Sequence, residues 1–221
     1  MPFGGRSTLS YGLWGDHEVS FPRWTGRDSL PEAECQEAAF QEVWKRIIGA
    51  SRTARATFAA DTRDVHRSLL LKSTPKAFEY YAGNYRGASF PALVDRPASI
   101  KIAGATSRHV TRFSLACDVY SEMAILQSRI DLLRDAELPV VQHFFESVAL
   151  FRRFSCIHPY LNGNGRISRL LLAALVSMVD LMPNESWTWS TRPYGREISG
   201  YFDCYLENPH LLTSYLAQWF T

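Results

Sequence analysis

From residue 139 onward the apolar positions fall into two helical stripes separated by a polar, glycine-rich break. After Pro139, the residues Val141, Phe144, Phe145, Val148 and Phe151 recur at helical spacing. That helix is expected to end near Ile157, because Pro159 pushes His158 out of the α region. Past the break, Ile167, Leu170, Leu171, Ala174, Leu175 and Met178 form a second stripe, and Leu172, Ala173 and Val176 fill the other faces. A helix apolar on most sides belongs in the interior, so this one is expected to be central and to end before Pro183.

The remaining pattern is also mostly helical. Ser29, Pro31 and Glu32 have the character of a helix start, with proline in the first turn and acid near the positive dipole end, and Gly49 stops that helix after Ile48. One or two helices follow between Thr53 and Lys72, with Val65, Leu69 and Leu70 on one side. Gly83, Gly87, Pro91 and Pro97 then break the stretch from Tyr81 to Val110, within which Ser99 to Ile102 alternates like a short strand. Ala103, Gly104 and Ala105 can turn that strand back toward His109 and Val110, which predicts a β-hairpin. Helical periodicity resumes from about Leu115 to Arg134, and two last helices fit Arg196 to Leu206 and His210 to Phe220. Residues 1–30 show no period and suggest an arm that orders on contact.

Length and composition allow one sizeable core, so the expected fold is a single mostly α domain with an N-terminal extension. A formal net charge of +2 leaves no polybasic surface for nucleic acid or anionic membrane, so any anion must be bound locally. Cys35, Cys117, Cys156 and Cys204 lack the close pairings of zinc sites or disulfide frameworks and suit buried thiols in a reducing compartment. The N-terminus has no basic and apolar signal-peptide pattern, and Leu170 to Val176 is too short to span a bilayer. The chain therefore reads as cytoplasmic, or as an effector delivered into a host cell by a signal of another kind.

The break itself, His158 to Arg169, carries the candidate chemistry. A helix start leaves backbone N–H groups unpaired and concentrates positive dipole charge, so acids normally collect there. Here the first turn carries Arg166 and Arg169, and no Asp or Glu lies between Glu146 and Asp180. Gly163, Asn164 and Gly165 tolerate positive φ and can converge their N–H groups into a nest, a phosphate-binding device when it opens a helix. Arg166 and Arg169 share a helix face and can each grip phosphate oxygens with a planar fork. Taken singly, these features also suit an ordinary interhelical turn with solvated arginines; their coincidence points to a bound anion. His158 is either a hydrogen-bonded structural residue or, beside such an anion, the natural group to take a proton from an attacking hydroxyl.

The same residues resemble the Fic-domain signature, His-Pro-Phe-x-Asp/Glu-Gly-Asn-Gly/Lys-Arg-x-x-Arg, which here runs His158, Pro159, Tyr160, Leu161, Asn162, Gly163, Asn164, Gly165, Arg166, Ile167, Ser168, Arg169. Similarity extends over about residues 64–220, with "VHRSLL" and "AGNYRG" preceding the position of the family's flap. The resemblance implies a Fic-type helical bundle with a short β-hairpin flap, residues 61–221 forming the Fic domain and residues 1–60 an arm and helix packed on its core. It implies transfer of AMP from ATP to a Ser, Thr or Tyr hydroxyl of a target protein. His158 would be the general base and Arg166 its catalytic companion. Gly163, Asn164, Gly165, Arg166 and Arg169 would hold the nucleotide, and Ile100, Lys101 and Ile102 would dock the target segment by strand-like pairing.

Two departures bear on that reading. Tyr160 replaces Phe, a mild change. Asn162 replaces the acid that in the family coordinates Mg2+, and an amide oxygen is a neutral, weaker ligand for a hard cation. That favours a raised magnesium requirement, a different donor (UMP, phosphocholine or phosphoryl transfer), or a weakly active nucleotide-binding interaction module. The family's inhibitory motif, Ser/Thr-x-x-x-Glu, is absent; Glu207-Asn208 has Asp203 at the hydroxyl position. The resemblance then implies either a separate inhibitory antitoxin or an effector acting in a foreign cell.

Overall fold

The computed structural model describes residues 30–96, 98–101, 110–189 and 209–221. The expected N-terminal arm, the helix from Arg196 to Leu206, Ile102 and the hairpin turn lie outside the described residues. Seven α-helices are described: α1 (Leu30–Ile48), α2 (Arg52–Ala60), α3 (Arg63–Leu70), α4 (Val119–Asp135), α5 (Val140–Ile157), α6 (Asn164–Val176) and α7 (Pro209–Ala217). Strands β1 (Ser99–Lys101) and β2 (Val110–Arg112) pair antiparallel, with Ile100 opposite Thr111 and Lys101 opposite Val110.

The bundle is organised around α6. Every residue of that helix except Gly165 is buried, because its sequence offers no polar face beyond the first two turns. It packs against α5 and α2; α4 covers α2 and α5, and α7 lies on α5. Phe151, Phe154 and Ile157 of α5 and Leu126 and Ile130 of α4 share its core. The chain end adds a clasp, with Met182 and Thr221 exchanging both backbone hydrogen bonds at 2.9 and 3.0 Å. Arg55 ties α1 to the far end of α6, donating to the carbonyls of Ile48 (2.6 Å) and Ser177 (2.5 Å).

Three sequence expectations are corrected here. Val141 belongs to the predicted stripe but is 83% exposed, since the first turn of α5 projects beyond its neighbours and burial begins at His143 and Phe144. Leu115 does not open a helix: it is extended and exposed, and a 3-10 turn over Ala116–Asp118 leads into α4. Cys117 on that turn is exposed and Cys156 half-buried, so neither is the fully buried thiol expected.

Candidate active site

The joint between α5 and α6 is built by two left-handed residues. His158 caps α5 at φ 51°, ψ 59°, and Gly163 caps the start of α6 at φ 80°. Pro159 does exclude His158 from the right-handed region, but the residue goes left-handed rather than extended, the conformation that ends many helices. Between the two caps, Asn164 locks the loop. Its Oδ1 accepts from the Tyr160 amide (2.8 Å) and its Nδ2 donates to the Tyr160 carbonyl (2.7 Å).

The nest is therefore smaller than its sequence suggests. Only Gly163 has positive φ; Asn164 and Gly165 already belong to α6. The Gly163 carbonyl accepts from the amides of Arg166 (3.0 Å) and Ile167 (2.9 Å), which leaves the Asn164 and Gly165 amides in the position that α-helices leave unpaired. Asn164 contributes through loop closure, both ends of its amide being committed to Tyr160.

The two glycines differ in what surrounds them. A Cβ on Gly163 would lie 2.4 Å from Leu70 Cδ1, on a backbone that already disfavours side chains. A Cβ on Gly165 would meet only Arg169 Nη1, at an ordinary 3.7 Å, and Gly165 is solvent-exposed. Among the described residues nothing crowds that position, so a side chain there would project into open space at the start of α6.

A histidine outside the signature supports the loop from below. His66 of α3 is fully buried, and its Nδ1 accepts from the Gly83 amide at 2.9 Å. Nε2 therefore carries the proton and donates to the Asn162 carbonyl at 3.0 Å. The ring stacks on Tyr160 with centroids 3.7 Å apart, and the Tyr160 hydroxyl shares a 2.8 Å hydrogen bond with Thr62. Burial, with Arg166 nearby, pushes His66 down to about 4, so the ring is neutral and its two roles stay fixed.

Above the joint, His158 is half-buried, with its ring stacked on Phe113 at 4.0 Å. Burial, and then the Arg86 charge, lower it to about 3. A neutral imidazole at ordinary pH is a proton acceptor. Arg86 itself is buried, and its guanidinium donates to the carbonyls of Ile157, His158, Arg96 and Ser114. Arg166 and Arg169 are buried as well. Arg169 Nη2 donates to the Trp189 carbonyl at 2.6 Å, and the Trp189 amide donates to Glu37 of α1 at 3.1 Å.

The joint holds His158, Asn162, Gly163, Asn164, Gly165, Arg166 and Arg169, which its two helix ends and the loop between them carry. Ile100 and Lys101 lie on β1, joined to the joint through the segment around Phe113 and Ser114. The sequence does not single out His66, Arg86, Phe113 or Glu37; for Arg86 the available signal is an arginine between Gly83 and Gly87.

A resident magnesium does not fit the residues present. Among the described residues no group of three His, Cys, Asp or Glu gathers, and Asn162 Oδ1 accepts from the Gly163 amide at 2.7 Å. The loop offers no carboxylate.

The model of the Fic/DOC family matches residues 58–176, more than half of the chain. The chain belongs to the Fic/DOC family. Among solved structures it is similar to BepC from Bartonella tribocorum, a VirB-translocated effector with bound AMPPNP, at 13% identity and a TM-score of 0.55, over 81% of this chain and 87% of that one. It is also similar to the N-terminal Fic domain of a VirB-translocated Bep effector protein from Bartonella quintana with bound ADP, at 16% identity and a TM-score of 0.52, over 81% and 86%. No curated protein matches the chain. Among the described residues, no helix of this Fic-family chain is long and apolar enough to cross a membrane.

Two measurements test this description. Gly163→Ala is expected to destabilise the Fic domain by about 1–3 kcal/mol, from steric conflict and backbone strain. Gly165→Ala should leave stability unchanged or raise it by up to about 1 kcal/mol, as alanine does in a helix. Urea denaturation of both variants compares them; equal losses would contradict the assignment. In acid, the unfolded chain protonates His66 near 6.5 and the folded chain only near 4. Stability from this residue is full above about pH 7 and lost as pH falls from 6.5 to 4, by about 3 kcal/mol. Denaturation at pH 7.5 and 4.5 should show that loss, and His66→Gln should reduce the difference between the two.

Proposed function

We propose that this protein is a Fic-type nucleotidyltransferase that moves AMP from ATP to a hydroxyl side chain of a target protein. The observation that carries the reading is the joint itself: a neutral imidazole on the cap of α5, beside the α6 N-terminus with its two arginines, within the family signature. The nucleotides bound to BepC and to the Bartonella quintana domain support an adenine nucleotide as donor here.

In the proposed reaction the His158 imidazole takes the proton of a Ser, Thr or Tyr hydroxyl. The hydroxyl oxygen forms a bond to the α-phosphorus as the bond from that phosphorus to the bridging oxygen breaks. The electron pair leaves with pyrophosphate, and the proton remains on His158 until solvent removes it. The open amides at Asn164 and Gly165, with Gly163 shaping the turn, cradle the phosphates. Arg166 and Arg169 neutralise charge on the tail and leaving group without reorganising, because both are held by the fold. Ile100 and Lys101 of β1, continued by Ile102 beyond the described residues, dock an extended target segment by backbone pairing, a mode that tolerates varied sequence.

Magnesium enters, in this reading, with the nucleotide rather than as a resident ion. The neutral Asn162 also favours a second reading in which the donor is another phosphate compound, such as UMP, phosphocholine or a simple phosphoryl donor, or the protein is a weakly active nucleotide-binding interaction module. The chain acts on a foreign cell's proteins as an effector, or under a separate inhibitory partner.

Incubation of the protein and a cell lysate with α-labelled ATP and magnesium should label protein acceptors, the chain itself included. His158→Ala should reduce that labelling at least about 100-fold, as loss of a general base does. Labelling that survives the substitution would overturn the assigned base. Asn162→Asp keeps an acceptor for the Gly163 amide and adds a free carboxylate oxygen. Transfer by this variant should reach half-maximal rate at about tenfold lower magnesium, and an unchanged magnesium titration would contradict the role given to this position.

A further inference from the structure

Arg86 lies outside the signature, yet its hydrogen bonds reach the base and the end of the strand pair where β1 is entered and β2 is left. Nε donates to the His158 carbonyl at 2.8 Å and Nη2 to the Ile157 carbonyl at 2.9 Å, so one side of the guanidinium closes the last turn of α5. Nη1 donates to the Arg96 carbonyl at 2.9 Å, just ahead of β1. Nη2 also donates to the Ser114 carbonyl at 2.9 Å, just past β2. The Arg86 amide donates to Pro159 at 2.7 Å.

We propose that Arg86, assisted by Phe113, is a positioning residue that fixes the β1–β2 pair and His158 as one rigid unit, so that an acceptor docked on the strands meets the imidazole in register. This rests on the transfer reading above. Phe113 extends the strand pair, its amide donating to Ala98 at 3.5 Å, and its ring is the one stacked on His158. The Ser114 amide donates to Cys156 at 3.3 Å, a further tie between the exit of β2 and α5.

The chemistry of the side chain fits this task. A buried cation is costly to desolvate, and burial lowers Arg86 to about 10, which still leaves it charged. Four carbonyls and the negative end of the α5 dipole offset that desolvation while leaving the charge in place. A planar fork can serve four acceptors in three segments; a lysine, with a single rotating ammonium, can hold the α5 turn or the strand ends but not both. The bonds of Arg86 go to the base and the strands, whereas the phosphate cradle at Gly163 and Gly165 rests on Asn164, His66 and Leu70. Base alignment is therefore separable from nucleotide binding.

The test is Arg86→Lys, with Phe113→Leu as a second variant that leaves the carbonyl clamp in place. In Arg86→Lys, transfer from labelled ATP should fall about 100-fold, as a misplacement near 1 Å at a reacting centre does. ATP affinity, read from thermal shift against ATP concentration, should stay within about twofold. Amide exchange at Ser114 and His158 should quicken at least about tenfold, and exchange at Arg166 and Ile167 should not. Phe113→Leu should lower transfer about tenfold with ATP affinity unchanged; if Arg86→Lys does not fold, this variant decides. Retained transfer, or transfer and ATP affinity falling together, overturns the proposal. If the unmodified protein transfers nothing, the functional reading fails on its own account, and the exchange pattern still decides the coupling: faster exchange confined to Ser114 and His158 upholds it, and uniform or unchanged exchange overturns it.

Discussion

Two buried helices meet head to tail at residues 158–163, and that reversal must satisfy opposite ends of two helix dipoles in a small space. The carbonyl end of α5 is satisfied internally, by the Arg86 guanidinium. The amide end of α6 is treated in the opposite way. Among the described residues no acid caps it, its first two turns carry two arginines, and its one exposed residue is a glycine. A fold that completes one helix end from its own side chains suits the negative group that the proposed function brings to the adjoining end.

The handling of arginine makes the same point. Arg55, Arg86 and Arg169 all donate to main-chain carbonyls. Carbonyls align a guanidinium without cancelling its charge, as a carboxylate would. Positive charge at the joint therefore persists where carbonyls are the partners, as at Arg86. It also acts on the two histidines beside it, Arg166 on His66 and Arg86 on His158, reinforcing what burial does to each. One of these neutral rings is locked between Gly83 and Asn162 and can only hold the loop. The other, resting on Phe113, is the ring to which the proposed reaction assigns proton transfer.

The helical order of the chain was legible because apolar spacing reports burial directly, and α6, apolar on nearly every face, is indeed the central helix. The candidate residues were legible because they are consecutive in sequence. What escaped reading depends on contacts between distant segments. Arg86 gains its meaning from carbonyls of Ile157, His158, Arg96 and Ser114, and carbonyls carry no residue identity. His66 is fixed by backbone atoms of Gly83 and Asn162 in the same way. The nest was read too large because Gly-Asn-Gly permits three positive φ angles, while helix formation from Asn164 onward needs only one. Val141 shows the converse limit, since periodicity cannot tell where a helix outruns its neighbours.

The central claim is that the start of α6 is a polyphosphate site within reach of His158. A crystal of the protein soaked with a non-hydrolysable ATP analogue tests it most directly. The account predicts phosphate oxygens on the Asn164 and Gly165 amides and on Arg166, with the α-phosphate facing the His158 imidazole. A soaked crystal in which the analogue lies elsewhere, while the joint holds only side chains of the same chain, would contradict it.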